Sequence, residues 1–174
     1  MGTTIRGRAV RGQPRNVIVA GHRVGRPVRA ADAVLRPLFG LFPFPGPGVL
    51  TTVGRKTGKA RRHCVRVVRR GDRAYLVAIA GAKASWLWNI RSNPRVQLRL
   101  GGETIDGMAR EPARGPELDE AREAYVETVN PSEYFECLIN WSGLPTRAKI
   151  QRLHEIWFNG GVPVVIDLGG TEGP

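Results

Sequence analysis

The sequence predicts a mainly β protein with a few helices, folded as a small closed or split antiparallel barrel with covering helices. Short runs of alternating or β-branched residues recur between residues 49 and 168, and most are joined by tight turns. Helical patterns come late in the chain instead of following every strand. The strand–helix alternation of a parallel Rossmann sheet is therefore missing from the sequence.

Six segments carry the strand pattern. The hairpin turn at 69–73 separates two of them, and Gly101-Gly102 separates two others. In the fourth segment, apolar residues at 96, 98 and 100 alternate with polar ones, as in a half-buried strand. Pro163 favours an edge position or a strand start for the sixth. The predicted strands are 49–53, 63–68, 74–80, 95–100, 103–110 and 162–168.

Three regions carry a helical pattern after the first strands. Residues 85–91 form one or two turns that end at Asn93-Pro94, because a residue before proline disfavours the α conformation. Residues 116–129 begin with acidic side chains, which suit the positive end of a helix dipole. Further helical material lies within 132–157.

The chain divides into an arm, a lead-in and one domain. Residues 1–29 are rich in Arg, Gly and Pro and predict a flexible basic arm. Residues 30–47 combine a short helix at 30–39 with a Pro/Gly-rich stretch that carries Leu41, Phe42 and Phe44. Residues 48–170 form the predicted barrel domain. The three apolar side chains pack either on the barrel or its cofactor pocket, or contact a membrane surface beside the basic arm.

Positive charge is concentrated in two segments. The formal net charge is +12, of which residues 1–36 contribute +7 and residues 55–70 contribute +8, and the remainder sums to −3. Focused charge of this kind points to an anionic partner, such as a polyanionic small molecule, a nucleic acid or an acidic membrane face.

Cysteine and histidine residues are few and isolated. Cys64 and Cys137 form no CxxC motif and have no zinc-ligand spacing to a histidine, so no metal site is expected. Together with the lack of a signal-peptide core, this favours a reducing, cytoplasmic location. No run of about 18 apolar residues exists to span a bilayer.

The turn after the first strand carries the main chemical signal. Residues 54–61 read Gly-Arg-Lys-Thr-Gly-Lys-Ala-Arg, and no acid occurs from 55 to 70. Gly54 and Gly58 allow a tight turn and close ligand approach, while backbone amides and guanidinium groups suit a phosphate or carboxylate. A solvated basic hairpin is the simpler interpretation. The turn is not a P-loop, because only three residues separate the glycines and Ala60 follows Lys59.

Three landmarks in order resemble the deazaflavin (F420)-dependent nitroreductase and quinone reductase family. LTTVGRKTGKAR at 50–61 is similar to its Leu-Thr-Thr-x-Gly-Arg-Lys-Ser/Thr-Gly-x-x-Arg motif. The strand at 74–80 leads into Gly81, and WLWNIRSNPRV at 86–96 is similar to Trp-Tyr-x-Asn-Leu-x-Ala-Asn-Pro-x-Val. The resemblance covers about residues 48–111. It implies an FMN-binding-like split β-barrel and coenzyme F420, whose phosphate and glutamate tail are acidic.

The resemblance also implies site residues. The basic turn faces the phosphate and tail, although strand alternation directs some of Lys59, Arg62 and His63 elsewhere. Trp86, Trp88 and Asn89 lie near the deazaflavin ring, with core packing of the tryptophans and helix tethering by Asn89 as the structural alternatives. The candidate cofactor-binding residues are Gly54, Arg55, Lys56, Thr57, Gly58, Arg61, Ala78, Gly81, Lys83, Trp86, Trp88 and Asn89.

Two departures from the family pattern affect this site. The family's Ala-Ser-Lys-Gly-Gly is replaced by Ala-Ile-Ala-Gly-Ala at 78–82, which removes a hydroxyl and an ammonium group, and Lys83 is the candidate replacement cation. The region 131–161 is longer than the pattern. It contains Tyr134, which the resemblance makes a candidate proton donor, with a partly buried structural role as the alternative.

The predicted function is hydride transfer from reduced F420 to a quinone-like or other electrophilic small molecule. The alternatives are an FMN- or haem-binding split barrel, a non-catalytic F420-binding protein, and a nucleic-acid-binding protein. Against the last, the aromatic residues do not interleave with the basic cluster. No nucleic acid is therefore expected as a partner, and peripheral membrane contact through residues 1–45 is a further expectation.

Overall fold

The computed structural model describes residues 47–134, 137 and 144–169. The predicted arm 1–29, the helix at 30–39 and the apolar residues 41, 42 and 44 lie outside this part of the chain. The strands are β1 (Pro47–Val53), β2 (Ala60–Arg66), β3 (Val68–Arg70), β4 (Arg73–Ala78), β5 (Arg95–Leu100), β6 (Glu103–Arg110) and β7 (Val162–Leu168). The helices are α1 (Ser85–Ser92), α2 (Pro116–Glu127) and α3 (Arg147–Gly160), and a 3-10 turn spans Gly81–Lys83.

All seven strands form one antiparallel sheet in the order β2-β1-β5-β6-β7-β4-β3. Its two edge strands, β2 and β3, are consecutive in the chain and are separated only by Val67. The sheet must therefore curl until its edges meet at this residue. Before Val67 the chain, as β2, pairs with β1. After Val67 the chain, as β3, pairs with β4, and the barrel splits at this residue. The predicted split antiparallel barrel is confirmed.

The barrel interior is filled by one face of the strands and by α1. Strand side chains alternate between faces, so every second residue points inward. Leu50, Leu98 and Ile166 are fully buried in this cluster, and α1 adds Trp86 and Leu87. Helix α1 therefore closes one end of the barrel as part of its core.

A second core lies outside the barrel. The other face of β4 presents Tyr75 and Val77, which pack against side chains of α2 and α3. Because both faces of β4 are covered, five of its six residues are buried without alternation. Helix α2 contributes Tyr125 to this core, and α3 contributes Phe158.

The remaining outer face, formed by β2, β1, β5 and β6, is open to solvent. On β5, Arg95, Gln97 and Arg99 are exposed while Val96 and Leu98 are buried. This is the alternation that the sequence predicts for a half-buried strand. The two helices α2 and α3 thus cover only half of the sheet, and the basic turn lies at the other half.

Most predicted elements agree with the structure, and two of the differences have identifiable causes. β5, β6 and β7 have the predicted bounds. The segment predicted as one strand, 63–68, is divided at Val67 because the chain changes its pairing partner there. β4 ends at Ala78, two residues early, because the chain enters the 3-10 turn. Among the described helices, none has the length and apolar character to cross a membrane.

Candidate cofactor-binding site

The basic turn joins β1 to β2 and is folded tightly on itself. The Gly54 amide donates to the Lys59 carbonyl at 2.9 Å, and the Gly58 amide donates to the Gly54 carbonyl at 2.7 Å. Gly58 has a φ of +65°, which favours glycine. A Cβ on Gly54 would lie 3.1 Å from both the Lys59 carbonyl and Thr57 Oγ1. The two glycines are therefore required for different reasons, conformation and space.

Backbone amides of the turn are largely engaged within the protein. The Thr57 amide donates to Gly54 at 3.1 Å, the Lys59 amide to Thr57 Oγ1 at 3.4 Å, and the Arg55 amide to Asn89 Oδ1 at 3.2 Å. The sequence suggested that these amides would face an anion. The structure corrects this expectation, because side chains are the groups left to bind one.

The eight cations of residues 55–70 fall into two groups. Arg69 pairs with Glu103 at 3.1 Å, Arg70 pairs with Glu123 at 3.2 Å, and Arg66 is buried against Glu133. The other five side chains are exposed and form no ion pair with any residue that the structure describes. These five are Arg55, Lys56, Lys59, Arg61 and Arg62.

Strand alternation sends the cations of β2 to opposite sides of the sheet. Arg61 lies opposite Thr52, which is 1% exposed and faces the barrel side. Arg62 lies opposite Thr51 and points to the open outer face, where a depression of about 320 Å³ is bordered by Gly58 and Arg95. Arg61 therefore shares a side with α1, and Arg62 does not.

Asn89 of α1 connects the helix to the basic turn. Its side chain is buried, its Nδ2 donates to Thr52 Oγ1 at 3.0 Å, and its Oδ1 accepts from the Arg55 amide at 3.2 Å. A buried amide with both ends bonded fixes the relative position of its partners. Asn89 therefore holds the start of the turn against α1, which is the tethering role that the sequence left open.

The two candidate tryptophans occupy different environments. Trp86 is 9% exposed and belongs to the barrel core, as in the structural alternative. Trp88 is 40% exposed, and its Nε1 donates to the Ala82 carbonyl at 2.6 Å. The guanidinium carbons of Arg91 and Arg55 lie 4.9 Å and 5.8 Å from the centre of its ring. Trp88 thus presents a fixed aromatic surface beside the basic turn.

The candidates that precede α1 lie at the end of β4. Ala78 is buried in the barrel interior, so its side chain contributes packing. Gly81 is buried with a φ of +54° and begins the 3-10 turn that leads into α1. Lys83 is exposed at the end of this turn. This segment directs the chain into α1 and offers one cation beside it.

Tyr134 lies away from the basic turn along the chain. It is 40% exposed and follows the buried Glu133, and its amide donates to the Pro131 carbonyl at 3.3 Å. Within the described residues, no hydrogen bond or ring contact joins Tyr134 to residues 54–59 or to Trp88. The same part of the chain contains no group of three His, Cys, Asp or Glu side chains that could hold a metal ion.

More than half of the chain matches one known protein family, and this match identifies the function. The sequence model described as F420H(2)-dependent quinone reductase matches residues 39–137, which include the basic turn, α1 and Tyr134. The chain belongs to this family. It is therefore an F420-dependent oxidoreductase, and F420 is favoured over the FMN, haem and nucleic-acid alternatives.

The residues present in this family member fit an acidic cofactor. Arg55, Lys56, Lys59 and Arg61 lie around one turn and pair with no acidic side chain that the structure describes, whereas Arg110 of β6 bonds to Glu117 and Asp167. An exposed ring, Trp88, adjoins them and can contact a planar group. Clustered cations without counter-charges repel one another, and an anionic ligand relieves this repulsion.

Solved structures with similar chains include an F420-dependent reductase, an oxidase and a heme binding protein. An F420-H2 dependent reductase shares 25% identity over 71% of this chain and 94% of its own, with a TM-score of 0.46. A putative pyridoxamine 5'-phosphate oxidase from Listeria innocua shares 14% over 79% and 93%, with a TM-score of 0.43. A heme binding protein from Mycobacterium smegmatis shares 20% over 87% and 57%, with a TM-score of 0.46.

One buried charged cluster is missing from the sequence-based site. Arg66, Glu133 and His154 meet between β2, the turn after α2, and α3. Burial and the nearby Arg66 lower the pKa of His154 from 6.5 to about 4, so the imidazole is neutral at pH 7. The only sequence signal is the Asn-Pro-Ser-Glu run at 130–133, which has the form of a helix capping box.

We expect Asn89→Ala to loosen the basic turn. The substitution removes both bonds of the buried amide, so the free energy of unfolding falls by about 1–3 kcal/mol and hydrogen exchange at the Arg55 amide accelerates. Asn93→Ala is the matched control, because among the described residues the Asn93 side chain bonds only to the nearby Arg95 amide. Unchanged exchange at Arg55 in Asn89→Ala would contradict the tether.

We expect the protein to lose stability on mild acidification because of His154. Its pKa is about 4 in the folded protein and about 6.5 when unfolded, so the unfolded chain binds the extra proton between these values. The contribution of this pKa difference to the free energy of unfolding, about 3 kcal/mol, is complete above pH 6.5 and is lost as the pH falls towards 4. Urea unfolding at several pH values measures it, and His154→Gln should flatten the dependence between pH 6.5 and 5. An equal slope in both proteins would refute the assignment.

Proposed function

We propose that this protein catalyses hydride transfer from reduced F420 to a quinone-like or other electrophilic small molecule, with the basic turn binding the acidic part of the cofactor. The observation that supports the proposal is a group of exposed cations, Arg55, Lys56, Lys59 and Arg61, at a turn that Asn89 fixes to α1. None of the four pairs with an acidic side chain that the structure describes. When bound, reduced F420 supplies the hydride. The protein residues bind, orient and shield the reactants.

In this proposal, Arg55, Lys56 and Arg61 bind the phosphate and the carboxylates of the tail. Each charge-assisted hydrogen bond contributes about 1.5–3 kcal/mol, so a few of them suffice for tight binding. Thr57 and the two glycines shape the turn. Thr57 Oγ1 accepts a hydrogen bond from the Lys59 amide, and the glycines permit the turn to fold tightly. Arg62 faces the other side of the sheet and is left out of the proposed site.

The segment from Ala78 to Asn89 forms the proposed wall of the site. Trp88 supplies an aromatic surface whose orientation is set by the bond to Ala82 and by the flanking guanidinium groups. Trp86 and Ala78 support it from the core, and Gly81 turns the chain into position. Lys83 adds a cation that the Ile-Ala sequence at 79–80 cannot supply.

We further propose that Tyr134 donates a proton during reduction of the acceptor. Reduction of a quinone to a quinol needs a proton besides each hydride, and a phenol is a suitable donor. Tyr134 is partly exposed, so its hydroxyl is accessible to a substrate. It also lies within the matched family region.

We expect the double variant Arg55→Ala/Lys56→Ala to bind F420 at least tenfold more weakly than the parent protein. The loss follows from removal of two charge-assisted contacts, and tenfold corresponds to about 1.4 kcal/mol. Fluorescence titration with F420, FMN and haem measures the effect. The parent protein should prefer F420.

Arg69→Ala/Arg70→Ala is the matched control for this titration. It removes the same charge from the same basic stretch, but these two side chains are already paired with Glu103 and Glu123. We expect its affinity for F420 to change less than threefold. Equal loss of F420 affinity in both double variants would mean that net charge alone explains the effect. A preference of the parent protein for FMN would overturn the proposal.

We also propose peripheral membrane contact through residues 1–45. The support is compositional, since eight arginines occur within residues 1–36 and three large apolar residues follow at 41, 42 and 44. A quinone-like acceptor dissolved in lipid would then be close to the enzyme. The substrate is a small-molecule electron acceptor in either case.

We expect Leu41→Ser/Phe42→Ser/Phe44→Ser to reduce cosedimentation with anionic vesicles at least threefold. The variant removes apolar contacts while leaving the basic arm intact. Leu144→Ser is the control, because Leu144 is 81% exposed but lies in another part of the chain. Equal sedimentation of all three proteins would exclude a role for these residues in membrane contact.

A further inference from the structure

Among the eight cations of residues 55–70, Arg66 forms the most hydrogen bonds to described residues. Its Nη1 donates to the Tyr125 carbonyl at 3.0 Å, its Nη2 donates to the Thr128 carbonyl at 2.6 Å, and its Nε donates to Glu133 Oε1. The guanidinium carbon also lies 4.2 Å from the centre of the Tyr125 ring. One side chain of β2 thus satisfies carbonyls at the end of α2 and a carboxylate beyond it.

Glu133 joins this cluster to the start of the next helical turn. Its Oε2 accepts from the Asn130 amide at 2.7 Å, and its Oε1 accepts from Asn130 Nδ2 at 3.3 Å. The bond from the Asn130 amide is the one that the glutamate of a capping box makes, with Pro131 at the first position of the turn. Glu133 is 4% exposed, so the carboxylate is held inside the protein.

His154 completes the cluster from α3. Its Nδ1 lies 3.3 Å from Arg66 Nη2, and its Nε2 lies 3.6 Å from Glu133 Oε2. Nδ1 also lies 3.4 Å from the Val126 carbonyl, so it is placed between the guanidinium and the end of α2. Three elements of the fold are thereby joined around one buried arginine.

The helical residue Cys137 anchors the same segment on the other side of Tyr134. Cys137 is fully buried against Ile150 of α3. Tyr134 lies between these two buried residues in the chain and is itself 40% exposed.

We propose that Arg66 and Glu133 are positioning residues for the phenol of Tyr134 and thereby control turnover. The inference depends on the proposed function, in which Tyr134 donates a proton to the acceptor. Arg66 follows Arg61 by five residues on β2, a separation of about 17 Å along the strand. Because the separation is odd, the two side chains leave opposite faces of β2, so one strand carries the cofactor-binding cation on one face and the cluster beside Tyr134 on the other.

The chemistry of the cluster favours positioning over simple stabilisation. Burying an arginine and a glutamate has a large desolvation penalty, and apolar residues of similar size often give equal or greater stability. The planar guanidinium instead directs several donors at fixed angles to three acceptors. A lysine keeps the charge but has a single nitrogen, and cannot reproduce this geometry.

The test is a double-mutant cycle with Arg66→Lys and Tyr134→Phe in the full-length enzyme supplied with F420. Menadione is the acceptor, and kcat, KM and the Kd for F420 are measured. We expect each single variant to lower kcat at least tenfold while the Kd changes less than twofold. The double variant should be within twofold of Tyr134→Phe, because Arg66 acts through the phenol. Arg70→Lys is the matched control and should keep the parental kcat.

Three results would overturn the inference. The first is a kcat in the double variant that is lowered by the product of the two single losses. The second is a parental kcat in Arg66→Lys. The third is a lowered kcat in Arg66→Lys together with a parental kcat in Tyr134→Phe. Thermal unfolding verifies that each variant is folded, and Glu133→Gln replaces Arg66→Lys in the cycle if the latter is not. Failure of the proposed cofactor site is seen separately, as absent F420 binding by the parent protein.

Discussion

Closure of the sheet at Val67 is the constraint on which the rest of the structure depends. The two edge strands of a seven-stranded sheet are joined by this single buried residue, so the sheet has to curl. Gly48 permits the close approach, since a Cβ there would lie 2.7 Å from Val67 Cγ2. At this point the chain changes from pairing with β1 to pairing with β4, and the end of the barrel is left for α1 to fill. The position of α1, and with it Asn89 and Trp88, follows from the closure.

The fold pairs arginines beside the helical layer with acids, and leaves the cations of the basic turn without an acidic partner among the described residues. Arg73 and Arg110 on the sheet bond to carboxylates of α2 and β7, which attaches the helical layer to the barrel. The helices cover only the β3-β4-β7 half of the outer surface. The basic turn projects from the other half, where none of the described acidic side chains pairs with it. Charge that would be neutralised elsewhere is thus available to a ligand.

Sequence patterns predicted the elements whose cause is local. β5, β6 and β7 were located with their bounds because alternation and flanking turns define them. The division at Val67 was missed because it arises from a change of strand partner, which a linear pattern does not record. The same limit applies to the site. The cations of 55–70 were evident from composition, but the sequence could not separate the paired Arg66 from the unpaired Arg61, because Glu133 and His154 lie 67 and 88 residues further on.

The internal engagement of the turn's amides affects how an anion would be recognised. Fixed amides enclose an anion of defined shape, whereas lysine and arginine side chains on an exposed turn adapt to many shapes. A ligand held in this way is selected by how many negative charges it carries, and its affinity weakens as ionic strength rises. Tails of different length would be accepted, and the longer, more highly charged ones would dissociate more slowly.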